Sequence, residues 1–343
     1  MKRFFLLLAV SIFFFNISFS QSKVKLACIA FYNTENFFDT IHNPGKNDYE
    51  FLPNGAAHWT SARYHRKLQH IAHVIAKIGT DFVPTGPIIM GLAEIEDRRV
   101  LEDLVKQPEI ANRHYQIIHF EGPDHRGIDV ALIYNPLFFR PLTAYPVHVP
   151  TPFPTRDILV VKGILDHSDT LTILVNHWPS RWGGMKRSEP YRDTAAATAR
   201  KIIDTILHQN PKAKIILMGD LNDNPDNESV VKYLKAVGKK RQLKASPYLL
   251  YNPMYKKFKR GIGTTAYQDA WSLFDQLIIS QGLLKAPDDT YKFYKAFVFN
   301  KPFLIQKEGR FEGYPFRTYA GGEYLGGYSD HLPVYMLLIK YVQ

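Results

Sequence analysis

Two polar residues follow a short apolar strand in the second half of the chain. The run 215–218 has apolar, strand-type side chains, and Gly219 ends it with a residue that allows close backbone approach. Asp220 and Asn222 follow two positions apart, so their side chains can point the same way. A carboxylate and an amide at a strand end suit a site for a hard cation and a phosphate. An Asx-rich turn is the structural alternative, and this stretch alone leaves both interpretations open.

The same arrangement of an apolar run and a polar end recurs along the chain. Apolar patterns predict strands over 25–32, 88–93, 115–120, 128–134, 160–165, 171–175, 215–218, 270–279 and 334–341. Side chains that could bind a ligand or transfer a proton stand at strand ends: Asn33, Glu35, Glu94, His177, Asp220, Asn222, Asp330 and His331. Asp129 and Asp275 fall inside predicted strands, where a carboxylate is costly unless it has a partner.

Helical periodicity is strongest in two long segments. Residues 60–78 place apolar side chains on one face and basic side chains on the other, which we interpret as a solvated surface. Residues 191–209 form the second long helix, and shorter helices are predicted over 97–106 and 227–237. Strands that alternate with such helices predict an α/β protein with packed sheets, in which ligands bind at one edge of the strands.

The first twenty residues have the pattern of a cleavable export signal. Lys2 and Arg3 precede an apolar run over 4–15, and the small residues Ser18 and Ser20 close the segment. The run is too short for a comfortable membrane span, and an uncleaved anchor is the alternative. We therefore expect a signal peptide over 1–20 and an exported mature chain over 21–343, periplasmic or secreted.

Composition favours polyanionic partners without choosing among them. Lysine and arginine outnumber the acidic residues by 43 to 32, for a formal charge of +11, which becomes +9 without Lys2 and Arg3. The most basic stretch, 239–263, carries tyrosines among its cations and could track a phosphate backbone while the rings stack on bases. A solvated loop is the alternative. The single cysteine excludes an intramolecular disulfide, so stability must come from the core or from bound metal.

Seven short motifs occur in an order that identifies a family. They are Asn33-x-Glu35, Leu92-Ala93-Glu94, Arg126-Gly127-Ile128-Asp129, Asn176-His177-Trp178, Gly219-Asp220-Leu221-Asn222, Phe274-Asp275-Gln276 and Ser329-Asp330-His331. The ordered set resembles the endonuclease/exonuclease/phosphatase superfamily of deoxyribonuclease I-like proteins, and it extends over nearly the whole mature chain. The resemblance implies a four-layered α/β sandwich, with two packed mixed β-sheets flanked by helices, in a single domain. It also implies a divalent-metal-dependent phosphoesterase that uses Mg²⁺, with Mn²⁺ or Ca²⁺ as alternatives.

The resemblance also implies roles for individual residues. Metal binding is expected of Asn33, Glu35, Glu94 and Asp330, and catalysis of His177, Asp220, Asn222, Asp275 and His331. In this scheme Asp275 orients His331, because a carboxylate beside an imidazole fixes its tautomer and favours its charged form. Arg126, Arg181 and Asn176 are expected to bind the phosphate or the substrate, although a surface salt bridge is the alternative for each arginine. Asp129 is expected to support His177.

Three classes of function fit the sequence. The first is an exported, monomeric nuclease that cuts phosphodiester bonds in DNA or RNA, favoured by the basic charge and the His177 match. The second is a phosphatase or phosphodiesterase acting on inositol phosphates, lipid headgroups or other small phosphoesters. The third is a non-catalytic binding module on the same scaffold, which would be expected to have lost at least one metal or histidine position.

Overall fold

A computed structural model describes residues 23–342. The predicted signal peptide, 1–20, lies outside the described residues. The strands are β1 Lys23–Phe37, β2 Pro87–Ile95, β3 Gln116–His119, β4 Asp129–Tyr134, β5 Phe139–Val147, β6 Ile158–Leu165, β7 Asp169–His177, β8 Lys214–Asp220, β9 Ala236–Val237, β10 Leu250–Tyr251, β11 Thr265–Tyr267, β12 Ala270–Ser272, β13 Asp275–Ile279, β14 Lys292–Val298, β15 Tyr319–Ala320, β16 Glu323–Tyr324 and β17 Val334–Val342. The α-helices are α1 Ser61–Lys77, α2 Arg98–Val105, α3 Met185–Gln209, α4 Tyr255–Phe258 and α5 Gln281–Leu284.

Two large mixed sheets form the centre of the molecule. The first has the strand order β14-β17-β1-β2-β4-β3, and the second has the order β5-β6-β7-β8-β13-β10-β9. Each sheet contains a central parallel pair, β1 with β2 in the first and β7 with β8 in the second. Their neighbours β17, β4, β6 and β13 run antiparallel to these pairs.

Side-chain alternation along the strands produces four layers. Ile29, Leu132, Ile173 and Met218 belong to one buried cluster, which fills the space between the two sheets. Their chain neighbours point the other way, because successive side chains in a strand face opposite sides. On the first sheet this outer face packs against α1 and α2, and on the second it packs against α3. The predicted α/β sandwich is therefore confirmed.

One basic residue of α1 is buried rather than solvated. Lys67 lies on the apolar face, and its Nζ donates hydrogen bonds to Thr318 Oγ1 at 2.6 Å and to Tyr328 O at 2.7 Å. Glu35 Oε2 is 3.8 Å from the same Nζ. Burial, together with the nearby Asp330 carboxylate, raises the pKa of Glu35, and burial lowers the pKa of Lys67. The interpretation of the basic residues of this helix as solvated surface is therefore wrong for Lys67.

Three predicted elements differ from the structure, and several strands, among them β5 and β14, were not predicted. The helix expected over 227–237 is only a π-helical turn, Ser229–Tyr233, and Lys235 at φ 60° ends it. The strand expected over 270–279 is divided into β12 and β13, because Leu273 N–H donates to the side chain of Asn224 instead of to a strand. Helix α3 begins six residues before the predicted position, with Pro190 inside its second turn. Strand β5 was not predicted, since its two prolines are typical of an edge position.

Within residues 23–342, no helix combines the length and the apolar content needed to cross a membrane.

Gly219 brings two central strands unusually close. A Cβ at this position would lie 2.2 Å from the carbonyl oxygen of Asn176 in β7, a backbone atom that cannot rotate away. At Gly91 in β2, the nearest atom to an added Cβ is Met218 Sδ at 2.6 Å, the flexible part of a side chain. We expect Gly219→Ala to lower the free energy of unfolding by about 1–3 kcal/mol. Gly91→Ala should lower it by a smaller amount, because the side chain of Met218 can move. Urea unfolding of both variants checks this, and equal losses would contradict the backbone contact.

The buried pair of Lys67 and Glu35 makes a second prediction about stability. Lys67→Met should lower the free energy of unfolding by about 3–5 kcal/mol, because it leaves a buried carboxylate without its cation. The double variant Glu35→Gln, Lys67→Met should lower the free energy of unfolding by clearly less, since it removes the unpaired charge as well. Urea unfolding of the two variants measures both effects. A double variant no more stable than Lys67→Met would show that the two charges do not depend on each other.

Candidate active site

The strand ends of both sheets meet at one edge. Because β7 and β8 are parallel and in register, His177 stands directly beside Asp220. Strand β13 runs antiparallel to β8 and begins at this edge, which places Asp275 on the other side of Asp220. In the first sheet the parallel pair β1 and β2 brings Asn33 beside Ala93, the residue before Glu94.

The amide of Asn33 joins the two sheets. Its Nδ2 donates to Glu94 Oε1 at 3.1 Å and to Asp220 Oδ2 at 2.9 Å, so two carboxylates converge on one nitrogen. Its Oδ1 accepts the backbone N–H of Glu35 at 2.9 Å. Asn33 therefore lies in the site as expected, but it presents a donor to the carboxylates, not the oxygen that a metal ligand would offer.

His331 and Asp275 form a buried hydrogen-bonded pair. His331 Nδ1 is 2.7 Å from Asp275 Oδ2, and Nε2 is 3.7 Å from Asp220 Oδ2 and 4.0 Å from Asp330 Oδ1. Burial by itself would lower the pKa of His331, but the charges of Asp275, Asp220 and Asp330 raise it well above its usual value. Protonated His331 thus holds Asp275 through Nδ1 and directs its second N–H towards the carboxylates.

His177 lies on the opposite side of the same carboxylates. Its Nε2 is 3.8 Å from both Glu94 Oε1 and Asp220 Oδ2. Burial lowers the pKa of His177 well below its usual value, and the cations Arg156 and Arg126 add to this effect. The site therefore contains one charged and one neutral imidazole at neutral pH.

Asp129 does not support His177. Its Oδ2 is 3.4 Å from Nε2 of His119, and both of these side chains are buried. The prediction that Asp129 partners His177 is wrong, because β4 begins at Asp129 and places this carboxylate beside β3. Within the described part of the chain, Nδ1 of His177 has no hydrogen-bond partner.

The backbone is strained where it supplies these groups. Glu35, Asn36, Glu94 and Asn222 have φ values of 53°, 46°, 60° and 50°, in the left-handed region that non-glycine residues seldom adopt. The strain is compensated locally, since Asn36 N–H donates to Glu94 Oε2 at 2.7 Å and Asn222 N–H donates to Asp220 Oδ1 at 2.9 Å. Backbone strain that is concentrated in this way is typical of functional sites.

Two residues expected to contact substrate have structural partners instead. Arg181 donates to Asn222 O at 2.8 Å and to Asp223 Oδ1 at 3.0 Å, so its guanidinium holds the loop after β8. Asn176 is fully buried between β7 and β8, and its Oδ1 accepts the indole N–H of Trp178 at 3.1 Å. Asn176 is therefore not available to a phosphate, and two of the three guanidinium nitrogens of Arg181 are already engaged by the protein.

Glu35 also departs from its expected role. Its Oε2 accepts the backbone N–H of Thr318 at 2.7 Å, in addition to facing Lys67. This carboxylate is buried behind the site and anchors the segment that leads to Asp330. The expectation that Glu35 binds metal directly is therefore not supported by its contacts.

The remaining donor set fits a hard divalent cation. Glu94 and Asp330 are partly exposed and Asp220 is buried beside Glu94, so the pocket offers carboxylate oxygens from three strand ends. Asp275 Oδ1 is a buried oxygen without a hydrogen-bond partner among residues 23–342. Asp220, Asp275 and His331 also form a group whose ligand atoms lie within 4.8 Å of one another. We assign this group to the histidine–carboxylate pair, because His331 Nδ1 is already bonded to Asp275.

Three supporting residues were not predicted from the sequence. Ser329 Oγ donates to Asn33 O at 2.7 Å and accepts His331 N–H at 3.0 Å, which ties the loop that carries His331 to β1. Arg156 is buried and donates to Asp124 Oδ2 at 3.0 Å and to Trp178 O at 2.7 Å. Nothing in the loop sequence around Arg156 predicts that this side chain is buried. The burial of Lys67 could have been predicted, since this residue falls on the apolar face of a helix.

The basic segment 239–263 reaches the site only at its end. Tyr251 pairs with Ile279, at the end of β13 farthest from Asp275. Thr264, immediately after the segment, accepts Asp275 N–H at 3.3 Å. Lys259 forms an exposed ion pair with Asp226, so part of the basic charge is already neutralised.

Comparison with known proteins agrees with this architecture. A structure of D. rerio TDP2 complexed with single strand DNA product matches 91% of this chain and 98% of its own, with a TM-score of 0.55 and 14% identity. The human Nocturnin catalytic domain with bound sulfate matches 94% and 98%, with a TM-score of 0.54 and 14% identity. A family protein from Bacteroides thetaiotaomicron matches 94% and 100%, with a TM-score of 0.54 and 14% identity. At these identities the likeness shows the fold.

No curated protein sequence matches the chain significantly. The sequence model described as Endonuclease/Exonuclease/phosphatase family matches residues 28–340, nearly the whole of the chain. This protein therefore belongs to the endonuclease/exonuclease/phosphatase family of phosphoester hydrolases.

Proposed function

We propose that this protein is a divalent-metal-dependent nuclease that hydrolyses phosphodiester bonds of DNA or RNA. The observation that supports this most directly is the orientation of His331. Its Nδ1 is bonded to Asp275, and its Nε2 faces Asp220 and Asp330 at the edge where strand ends of both sheets meet. A preorganised N–H donor in a carboxylate-lined pocket is the arrangement that phosphoester hydrolysis needs.

The proposed cofactor is Mg²⁺, held by Glu94 and Asp330 with Asp220 beside them. When bound, such a cation polarises the phosphoryl oxygens and offsets the charge that develops on them. Asn33 keeps Glu94 and Asp220 in place through its amide nitrogen. Glu35 and Lys67 lie behind these carboxylates, where they anchor the segment before Asp330.

Proton transfer is assigned to the buried groups. Burial raises the pKa of Asp220, although the charge of His331 opposes this, so Asp220 is suited to orient the attacking water and accept its proton. His331 donates its Nε2 proton to the leaving oxygen as the phosphodiester bond breaks, while Asp275 holds the ring. His177, kept neutral by burial and by nearby arginines, offers a second ring nitrogen to the phosphate. Asn222 fixes the loop through its hydrogen bond to Trp178 O.

A nucleic acid substrate is favoured by charge and by likeness. The formal charge is +11 for the whole chain and +9 without Lys2 and Arg3, and this positive charge attracts polyanions. The TDP2 structure that matches this chain holds a single-stranded DNA product. Arg126 and Arg187 are exposed beside the strand edge and could contact phosphates on either side of the scissile bond.

Purified protein with Mg²⁺ should degrade DNA or RNA, and chelation of the metal should stop the reaction. His331→Ala should lower kcat by about 10²–10⁴-fold, because it removes the acid–base group. His148→Ala is the matched control, since this histidine is exposed and pairs with Asp157 outside the pocket. Gel assays of plasmid DNA and of RNA measure both variants.

A substrate panel distinguishes the alternative function. It should include inositol phosphates, lipid headgroup esters and bis-p-nitrophenyl phosphate. If every nucleic acid remains intact while one of the small phosphoesters is hydrolysed, the nuclease proposal fails and the phosphatase or phosphodiesterase alternative replaces it.

We also propose that the protein is exported. The support is the order of Lys2 and Arg3, the apolar run 4–15 and the small residues ending at Ser20. Protein recovered from outside the cytoplasm of a bacterial host should begin near Gln21 by N-terminal sequencing. Leu7→Arg should interrupt the apolar run and keep the chain in the cytoplasm. An exported chain that retains Met1, or wild-type protein found only in the cytoplasm, would contradict cleavage or export respectively.

A further inference from the structure

A pocket of about 650 Å³ lies beside the strand edge that carries the proposed active site. Its volume is within the range of small-molecule sites. Three loops and the first two turns of α3 build it; the loops are the turn before β4, the segment before β6 and the connection from β7 to α3. Its lining combines three arginines with three aromatic rings: Arg126, Arg156, Arg187, Phe153, Trp182 and Tyr191.

Hydrogen bonds connect this pocket directly to the catalytic groups. Arg156, which is buried, donates to Trp178 O at 2.7 Å. The same carbonyl oxygen accepts the side-chain N–H of Asn222 at 3.0 Å. Trp178 in turn follows His177 in the chain. A ligand in the pocket would therefore lie next to the groups proposed to bind the scissile phosphate.

The charge of the pocket favours an anionic ligand. Its one acidic side chain, Asp124, is already engaged by Arg156 at 3.0 Å and faces Arg126 at 3.7 Å. Arg126 and Arg187 are exposed and leave the pocket with a net positive charge. Guanidinium groups bind phosphates well because their N–H donors match the geometry of two oxygens.

The aromatic rings offer open faces next to these cations. Trp182 is 87% exposed, whereas Trp59 and Trp178 are fully buried. Phe153 is 40% exposed, and its ring centre is 4.8 Å from that of Tyr191 at an interplanar angle of 82°. Edge-to-face contact with Tyr191 holds Phe153 while leaving part of its surface open. Two exposed rings beside arginines are the combination that single-stranded nucleic acid binding uses.

We propose that this pocket binds the nucleobase adjacent to the scissile phosphate, by stacking on Trp182 and Phe153, while Arg126 and Arg187 contact a neighbouring phosphate. This inference rests on the proposed nuclease function and specifies its substrate as a strand whose bases are unpaired. Because every base has a π-face, stacking of this kind requires a base but tolerates any of the four.

A first experiment compares cleavage of two single-stranded oligonucleotides. One has a complete set of bases, and the other has abasic residues on both sides of the cleaved bond. Wild-type protein should cleave the complete strand about tenfold more efficiently in kcat/KM, the size expected for one stacking contact. Trp182→Ala should reduce this ratio several-fold, and Trp182→Phe should restore most of it. Tyr294→Ala, at an exposed ring on β14 that does not line the pocket, should keep the wild-type ratio.

A second experiment measures binding without catalysis. In the presence of a chelator, adenosine 5′-monophosphate should quench the fluorescence of the exposed Trp182, and Trp182→Phe should lose that quenching. Ribose 5-phosphate carries the same phosphate without a base and should leave the emission unchanged. Equal quenching by both ligands, or an equal cleavage ratio in wild type and Trp182→Ala, would overturn the base-binding assignment.

The two proposals can fail separately. If the protein cleaves complete and abasic strands equally well and the nucleotide does not quench the fluorescence of Trp182, the base-binding assignment of the pocket fails. The proposed nuclease function is then unaffected. Quenching by the nucleotide but not by ribose 5-phosphate, in a protein that cuts no nucleic acid, would support base binding and refute the nuclease function.

Discussion

The register between neighbouring strands is the constraint on which the site depends. Asp220 has His177 beside it across the parallel pair and Asp275 across the antiparallel pair. A shift of one residue in either pairing would turn the side chains of the shifted strand to the opposite face. The close approach of Gly219 to Asn176 O reinforces the register, because no side chain fits between the two strands at that point.

Burying so many charged groups is expensive unless they neutralise one another. The site balances the carboxylates of Asp220 and Asp275 with protonated His331, and that of Glu35 with Lys67. Buried ion pairs of this kind contribute little net stability, since desolvation offsets most of their attraction. Their value lies in orientation, because each charge is held by hydrogen bonds to a loop that carries another functional residue.

The site also separates its two histidines by environment. At His331 the charges of Asp275, Asp220 and Asp330 outweigh the effect of burial, whereas at His177 burial dominates and two arginines add to it, so the pKa values of the two histidines move in opposite directions. Two imidazoles of opposite protonation within one pocket can donate and accept protons without any change of pH. Arg126 and Arg156, which add to the effect of burial on the pKa of His177, also line the neighbouring pocket, so the proposed base-binding site and this imidazole share the same arginines.

Much of this arrangement could be predicted from residue types and order. The apolar runs predicted most strands, and the motifs around Glu94, Asp220 and His331 predicted both the fold and the residues that converge. The roles of Glu35, Asn176, Arg181 and Asp129 could not be predicted in this way. For these four residues the deciding contacts are Thr318, Trp178, Asp223 and His119, respectively. Thr318 and Asp223 are far from Glu35 and Arg181 in the chain, and the motif that contains both Asn176 and Trp178 does not show that their side chains bond to each other.

The sequence by itself determined which chemical groups stand at strand ends, because alternation and breaker residues are local properties. Only the tertiary structure decided which of those groups face the pocket and which face a buried partner. The distinction depends on the packing of distant segments: Lys67 of α1 reaches behind Glu35, and Arg156 reaches behind Trp178. The roles of these side chains depend on the residues that they contact, and those residues lie in other parts of the sequence.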